Sequence, residues 1–295
     1  RDLHSFPTRR SSDLLFLFLT VAVILCSLSI PASAQYVDTP KDGFYQKNNY
    51  ADKEPIPYPE VNESDIMWSK RIWRTIDLRE KANQFLYYPE EPQNDWKNLM
   101  SVIVDGINSG DLTAYDASND AFTSPLSYDE VMEKLSGSVD TIHIQRAVEP
   151  YDWYDTIITN DFSSQDIKAF RIKEDWFFDK KRSVIECRII GICPVKDVYD
   201  KSTGEFRGTA PLFWIYYPDA RRTFAKSCAF NPKNDAVRLS YEDIFARRMF
   251  TSTIYKESNT YDRYISDYAT GLDALLEAEK IQEAIREFES NMWQY

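Results

Sequence analysis

The sequence predicts an α+β fold, in which helices flank a central, mostly antiparallel sheet and a long amphipathic helix ends the chain. Two apolar, strand-like runs in the middle of the sequence are separated by a short polar turn, as in a β-hairpin. Segments with apolar residues at helical spacing lie before and after this β-rich region. Because helices and strands are grouped along the chain rather than alternating, the pattern favours α+β over a parallel α/β architecture.

The start of the chain is predicted to precede the folded domain. Residues 1–14 lack the initiator methionine and the basic start of an export signal, and we interpret them as a non-native leader. Residues 15–34 combine an apolar run with a closing Ala-Ser-Ala sequence, which is typical of a cleaved signal peptide. A membrane anchor is the alternative, but a spanning helix needs about 20 apolar residues and this run is shorter.

Residues 35–63 contain four prolines and no periodic pattern, which predicts an extended N-terminal arm. Such an arm is often a linker, although its four tyrosines would also suit docking on a neighbouring protein. The remaining residues, 64–295, are numerous enough for a single α+β domain with its own core.

The domain is expected to begin with a helix over Ser64–Phe85. Trp68, Ile72 and Ile76 recur at a spacing of four residues, and Trp73 widens the apolar stripe. Because a helix brings residues four positions apart onto one face, this spacing favours a helix that packs against the core.

Two more helices and a short strand are predicted before the β-rich region. A helix over about residues 95–108 ends near Gly110, and a short strand and turn follow it. The next helix begins at a capping box formed by Ser127 and Glu130 and is expected to stop at Gly137.

The central hairpin is predicted to have arms at about Lys168–Phe178 and Ser183–Cys193, with its turn at residues 179–182. Two further runs, at residues 210–218 and 221–230, are also expected to be strands. The triplet Tyr-Tyr-Pro occurs twice in the sequence, and we expect each copy to end a strand, because proline cannot donate a hydrogen bond to the ladder.

Two helices are predicted to close the domain. Ser240 is expected to cap a short helix, and a long amphipathic helix follows it to the end of the chain. The apolar stripe of this last helix consists of Leu272, Leu275, Leu276, Ile281, Ile285, Phe288 and Met292.

The residue types that carry most catalytic chemistry are scarce. His143 is the one histidine beyond the leader, so a site built on several histidines is excluded. The glycine-rich loops that bind nucleotide phosphates and the acidic loop of calcium sites are also missing from the sequence, and no cofactor is expected. The formal net charge of −12 disfavours nucleic acid as a partner, because a phosphate backbone repels an acidic chain.

Carboxylates and aromatic rings do occur together, in Asp152, Trp153, Tyr154 and Asp155. This cluster keeps an alternative function open, namely a carbohydrate- or peptidoglycan-binding module or a carboxylate-dependent glycoside hydrolase. The more ordinary interpretation is a solvated turn between aromatic residues of the core.

Three cysteines follow the signal peptide: Cys187, Cys193 and Cys228. One interpretation is that all three are small residues of the core. In an oxidising compartment a disulfide is the alternative, with Cys193 and Cys228 as the candidate pair.

Candidate protein-contact residues are tryptophans and arginines, which are enriched in protein interfaces. They are Trp68, Arg71, Trp73, Arg221 and Arg222. The alternative for the arginine pairs, including Arg247 and Arg248, is ion pairing within the chain. The C-terminal helix is an alternative docking surface.

Four stretches carry a resemblance to a known family: DIMWSKRIWRTIDLREKANQFLYYP, AFRIKEDWFFDKKRSVIECRIIGICPV, LFWIYYPDAR and FTSTIYKESNTYDRYISDY. Together they resemble the GldN/PorN family of gliding-motility and type IX secretion proteins of Bacteroidetes. The resemblance extends from about Pro55 to the C terminus.

This resemblance implies a non-enzymatic periplasmic protein, associated with the outer membrane through a lipoprotein of the GldK/PorK type. The family resemblance further implies that the protein associates with itself and with this lipoprotein in a ring. A contact with an inner-membrane-anchored component of the GldM/PorM type is implied as well. The resemblance carries over no catalytic residues.

Overall fold

In the computed structural model, the predicted hairpin lies in the middle of a large sheet. The structure describes residues 53–93, 96–136, 140–145, 153–158, 162–200, 203–231, 234 and 236–292. For residues 140–145 and 153–158 the description covers the backbone alone. The leader, the signal peptide, the arm before residue 53 and the helix stop at Gly137 fall outside these residues. None of the helices in the described part combines the length and the apolar character that a membrane span needs.

The described residues form twelve strands and six α-helices. The strands are β1 (Ile66–Asp77), β2 (Ala114–Asp116), β3 (Pro125–Leu126), β4 (Asp140–Gln145), β5 (Trp153–Ile158), β6 (Ile167–Asp179), β7 (Val184–Tyr199), β8 (Phe206–Pro211), β9 (Phe213–Tyr216), β10 (Cys228–Ala229), β11 (Leu239–Ser240) and β12 (Thr253–Glu257). The helices are α1 (Gln84–Tyr87), α2 (Leu99–Ser109), α3 (Tyr128–Ser136), α4 (Tyr217–Lys226), α5 (Tyr241–Ala246) and α6 (Leu272–Met292).

The main sheet has eight strands in the order β12-β1-β6-β7-β9-β2-β3, and β8 also pairs with β7. Its strand pairs are antiparallel. Two small sheets, β4–β5 and β10–β11, lie apart from it in the strand order. The α+β prediction, with a mostly antiparallel sheet and a long C-terminal helix, is confirmed.

The hairpin of β6 and β7 has the predicted arms and turn. The Asp179 carboxylate fixes the turn by accepting hydrogen bonds from the Lys181 backbone N–H at 2.8 Å and from Arg182 Nε at 2.6 Å. β7 continues past Cys193, its predicted end, to Tyr199, because β8 pairs with this extension.

The helix predicted over Ser64–Phe85 is wrong for most of its length, because β1 occupies Ile66–Asp77. Residues four positions apart share a face in a strand as well as in a helix, so the Trp68-Ile72-Ile76 spacing does not separate the two. The segment is rich in Ile, Thr and Trp, which favour strands. Pairing with β6 and β12 then satisfies its backbone on both sides.

The strand predicted over residues 221–230 is also wrong, because most of that run belongs to α4 and only Cys228–Ala229 is extended. Pro218 lies in the first turn of α4, where its missing N–H costs no helix bond. Ala220 and Phe224 are four positions apart and fully buried, which is the helical spacing that the run contains.

The helix caps predicted at Ser127 and Ser240 are present. The Ser127 Oγ accepts from the Glu130 backbone N–H at 3.4 Å, and the Glu130 carboxylate accepts from the Ser127 N–H at 2.7 Å. Ser240 caps α5 through a similar exchange with Asp243. α2 begins at Leu99, capped by Asn98, rather than near residue 95, and it ends at Ser109 before Gly110, whose φ of 79° is left-handed.

Three apolar clusters hold the domain together. The largest packs α2, α4 and α5 against one face of the sheet. A second places Ile281 and Ile285 of α6 against Ile72 and Ile254 of the sheet edge. The third contains Trp73, which neighbours Ile72 in β1 and therefore points to the opposite face.

No disulfide joins the described cysteines, so the Cys193–Cys228 bridge is not formed in this structure. The two thiols lie in different places: Cys193 packs with Trp73 and Trp214, whereas Cys228 pairs with Ser240 across β10 and β11. Burial raises the pKa of the Cys193 thiol to about 12, which keeps it protonated and inert at neutral pH.

Candidate protein-binding surface

The five predicted contact residues occupy different environments. Trp73 and Arg221 are buried, each with 7% of its surface exposed, and offer little area to a partner. Trp68 is half-buried and stacks on Phe288 of α6, with ring centroids 4.7 Å apart. Arg71 and Arg222 are exposed. The structure therefore does not bring the five residues together in one surface.

The two exposed arginines differ in their partners. Arg71 forms a two-pronged ion pair with Asp175 of the neighbouring strand, at 2.6 and 2.7 Å. Among the described residues, Arg222 forms no ion pair and borders a shallow polar cleft with Asp219 and Lys226. Of the predicted set, Arg222 thus has the charge most available to another protein.

Arg221 holds the end of the N-terminal arm against the domain. Its guanidinium pairs with the buried Glu242 carboxylate at 2.6 Å and donates to the Ile56 carbonyl at 2.6 Å. The same group lies 3.8 Å from the centroid of the Tyr58 ring. Glu242 also accepts a hydrogen bond from the Tyr217 hydroxyl at 2.7 Å. Arg221 is therefore part of the fold and joins arm residues to α4 and α5.

A second buried ion cluster lies between the sheet and α6. Glu174 of β6 is completely buried and accepts from Arg74 at 3.1 Å, from Arg248 at 2.8 Å and from the Trp176 indole at 3.0 Å. Arg74 also donates to Gln282 of α6. For Arg248, the alternative of ion pairing within the chain is thereby confirmed.

Trp73 belongs to a polar contact on the opposite face of the sheet. Its indole N–H donates to the Asp120 carboxylate at 2.7 Å, and Lys173 Nζ lies 3.2 Å from the same carboxylate. Burial opposes ionisation of Asp120, but the Trp73 hydrogen bond and the Lys173 charge outweigh it and hold the pKa of Asp120 below its ordinary value.

Asp120 is expected to make the stability of the protein depend on pH. A carboxylate whose pKa is lower in the folded than in the unfolded protein stabilises the fold at pH values above the unfolded-state pKa. This stabilisation is lost as the pH falls through the folded-state pKa. Asp120→Asn should therefore cost about 1 kcal/mol at pH 6, a figure discounted for partial exposure. Urea unfolding should show this difference shrinking towards pH 3. A difference that does not vary with pH would contradict the assignment.

In the part of the chain that the structure describes, a long run of exposed apolar side chains lies just before α6 and in its first turns. We call it the tyrosine–leucine surface, and its members are Tyr261, Tyr264, Tyr268, Leu272, Leu275 and Leu276. Tyr261 and Leu272 are 76% and 70% exposed. The Arg263 guanidinium lies about 5 Å from the rings of Tyr261 and Tyr268, and so orders the first part of this surface.

The leucines of this surface are not part of the buried stripe of α6. The buried positions are Ala278, Ile281 and Ile285. Leu276 and Ile281 are five positions apart, which separates them by about 140° around a helix with 3.6 residues per turn. The sequence prediction treated them as one stripe, and it missed the tyrosines, whose spacing of three and four residues was the available signal.

Most charged residues of the segment that carries the tyrosine–leucine surface are acidic. Its carboxylates are Asp262, Asp267, Asp273, Glu277 and Glu279, and its cations are Arg263 and Lys280. Asp262 also pairs with Lys256 of β12 at 2.7 Å. An apolar centre with a charged rim is the usual anatomy of a protein interface. The arrangement suits a partner with an apolar face and a basic rim.

The described side chains bear on the metal prediction but do not test the carbohydrate alternative. In the described ranges, no group of three or more His, Cys, Asp or Glu side chains is arranged to hold a metal ion. Asp152 falls outside those ranges, and Trp153, Tyr154 and Asp155 belong to β5, of which the backbone alone is described. The proposed carboxylate pair therefore stays a prediction.

Comparison with protein-family models gives a match over most of the chain. Residues 61–294 match the sequence model of the family described as "Gliding motility associated protein GldN". No curated protein matches the chain. The family match covers most of the chain, including the sheet, the ion clusters and the tyrosine–leucine surface. The chain therefore belongs to the GldN family and is a component of the gliding-motility and type IX secretion machinery.

Proposed function

We propose that the protein is a non-enzymatic structural subunit that forms a periplasmic ring with an outer-membrane lipoprotein. In this proposal the ring also contacts an inner-membrane-anchored component, and the chain reaches the periplasm through a cleaved signal peptide. The observation that carries the proposal is the match to the GldN family over residues 61–294.

The physical character of the domain supports a scaffold. Two buried ion clusters and three apolar clusters fix α4, α5 and α6 on the sheet. A rigid subunit loses little conformational entropy on assembly, so more of its contact energy appears as affinity. The tyrosine–leucine surface supplies exposed tyrosines, which are common anchors of protein interfaces, and exposed leucines, which add apolar area that a partner can bury.

Light scattering during size exclusion tests the assembly. The exported chain, beginning at Gln35 in our prediction, is run alone and after co-expression with the soluble part of an outer-membrane lipoprotein of the GldK/PorK type. A joint peak much larger than either monomer is expected. Two separate monomer peaks would overturn the proposed ring.

The contact surface is tested by replacing Leu272, Leu275 and Leu276 together with serine. Loss of these anchors should weaken the complex at least tenfold, because buried interface anchors contribute about 1–2 kcal/mol each. The folded monomer should keep its melting temperature, since all three side chains are more than half exposed.

A matched control replaces Glu283, Glu287 and Glu289, which are exposed further along α6, with serine. This variant should bind as the native chain does. If the leucine variant also binds normally while the native complex forms, the ring proposal stands and the tyrosine–leucine surface is not its contact.

A further inference from the structure

A cleft lies beside the first Tyr-Tyr-Pro triplet, which does not end a strand. Tyr87 closes α1, and Pro89 begins a loop that leads into α2. The nearly fully buried Asn98 side chain holds this loop by donating to the carbonyls of Pro89 at 2.8 Å and Glu90 at 3.3 Å. The loop is thereby fixed to the first turn of α2, where Asn98 is also the cap.

The far end of the loop is fixed as well. Gln93 and Trp96 exchange backbone hydrogen bonds of 3.0 and 2.8 Å, which fix the backbone at Trp96. Phe230, from the segment after β10, meets that ring edge to face with centroids 5.8 Å apart. The aromatic pair is therefore held by two separate parts of the chain.

These groups line a cleft of about 680 Å³, together with Tyr88, Glu90 and Glu91. Its volume falls within the range of ligand sites, about 300–1,000 Å³. We call it the Trp96 cleft. It shares no residue with the tyrosine–leucine surface.

The chemistry of the Trp96 cleft suits a cation. The face of a tryptophan ring attracts guanidinium and ammonium groups. The Arg238 guanidinium lies 5.0 Å from the Trp96 centroid, so a ligand cation would share this ring with Arg238 or displace it. Glu90 is engaged by the Gln165 amide at 2.8 Å. Glu91 is exposed and forms no ion pair with the described residues, so its carboxylate is available to a ligand.

We propose that the Trp96 cleft binds an extended peptide segment through an arginine side chain. A planar guanidinium stacks on an aromatic ring and pairs with a carboxylate at the same time, which a lysine ammonium does less well. The acidic chain, with a formal net charge of −12, attracts such a segment before contact. The inference holds whether or not the chain assembles into a ring.

Fluorine NMR of the whole exported chain, labelled with 5-fluorotryptophan, tests the proposal. Loss of a signal in Trp96→Phe identifies the Trp96 resonance. The probe is acetyl-Ser-Gly-Arg-Gly-Ser-amide, and its matched control carries citrulline, which has the shape of arginine without the charge. The arginine peptide should shift the Trp96 resonance and bind at least tenfold more tightly than the citrulline peptide.

Glu91→Gln should weaken the arginine peptide at least fivefold, and added salt should weaken it further. Glu133→Gln, at an exposed position of α3, should leave binding unchanged. Equal binding of the two peptides, or shifts confined to other tryptophans, would overturn the proposal. A response to chitotetraose without a response to the arginine peptide would also overturn it and assign the cleft to carbohydrate.

Discussion

Replacement of Glu174 by glutamine is expected to lower the free energy of unfolding by about 3–5 kcal/mol. The carboxylate is completely buried and compensates the charges of Arg74 and Arg248. Glutamine has nearly the same shape as glutamate but no charge, so the guanidiniums of Arg74 and Arg248 both lose their counter-charge. The loss is most costly at Arg74, because burial there already opposes the charged form and lowers the pKa of the guanidinium. Urea unfolding should show a lower midpoint with an unchanged slope.

The neighbouring residue provides the control. Asp175 pairs with Arg71 between the same two strands, but Arg71 keeps 44% of its side chain exposed. Asp175→Asn should therefore cost no more than about 1 kcal/mol, as exposed ion pairs do. Equal losses in the two variants would show that burial does not decide the contribution of these pairs.

Replacement of Arg221 by alanine is expected to cost about 3–5 kcal/mol and to release the end of the arm. The Glu242 carboxylate would stay buried without its cation, and the Ile56 carbonyl would lose its donor. The Tyr58 ring would keep the Arg188 guanidinium, 4.9 Å from its centroid. Urea unfolding measures the first effect. The second should appear as faster trypsin cleavage after Lys53 in the folded protein.

Arg222→Ala is the matched control, since the adjacent side chain is exposed and forms no ion pair with the described residues. Its stability should stay within about 0.5 kcal/mol of the native protein, as is usual for surface positions. Cleavage after Lys53 should be unchanged. If Arg221→Ala unfolds the domain without faster cleavage in its folded fraction, the arm is held by other contacts.

Local signals in the sequence predict the elements that depend on local chemistry. The Ser127–Glu130 capping box, the Ser240 cap and the turn after Asp179 are confirmed because neighbouring residues alone determine them. The helix predicted across β1 is wrong because that strand depends on β6 and β12, which are distant in sequence. The four-residue spacing of apolar residues suits a helix and a strand equally, and pairing with distant strands decides between them.

The candidate site is less predictable for the same reason. By residue type alone, Trp68 and Trp73 are equally good candidates for a protein contact. Only the alternation of side chains along a strand shows that Trp68 is half-buried and Trp73 is buried. The Glu174 cluster joins residues that are far apart in the sequence, so no spacing indicates it. The exposed leucines of α6 become visible only when the buried side of the helix is known.

The pairing of β1 with β12 also decides when the chain is able to fold. Ile72 lies in register with Glu257, so a strand near the start of the domain receives one neighbour from a segment near its end. Contacts of this kind form slowly, because the intervening chain must first be closed into a loop. A nascent chain that has not been synthesised as far as β12 cannot complete the sheet. For a protein that we propose is exported, this delay would favour a chain that is still unfolded when translocation begins.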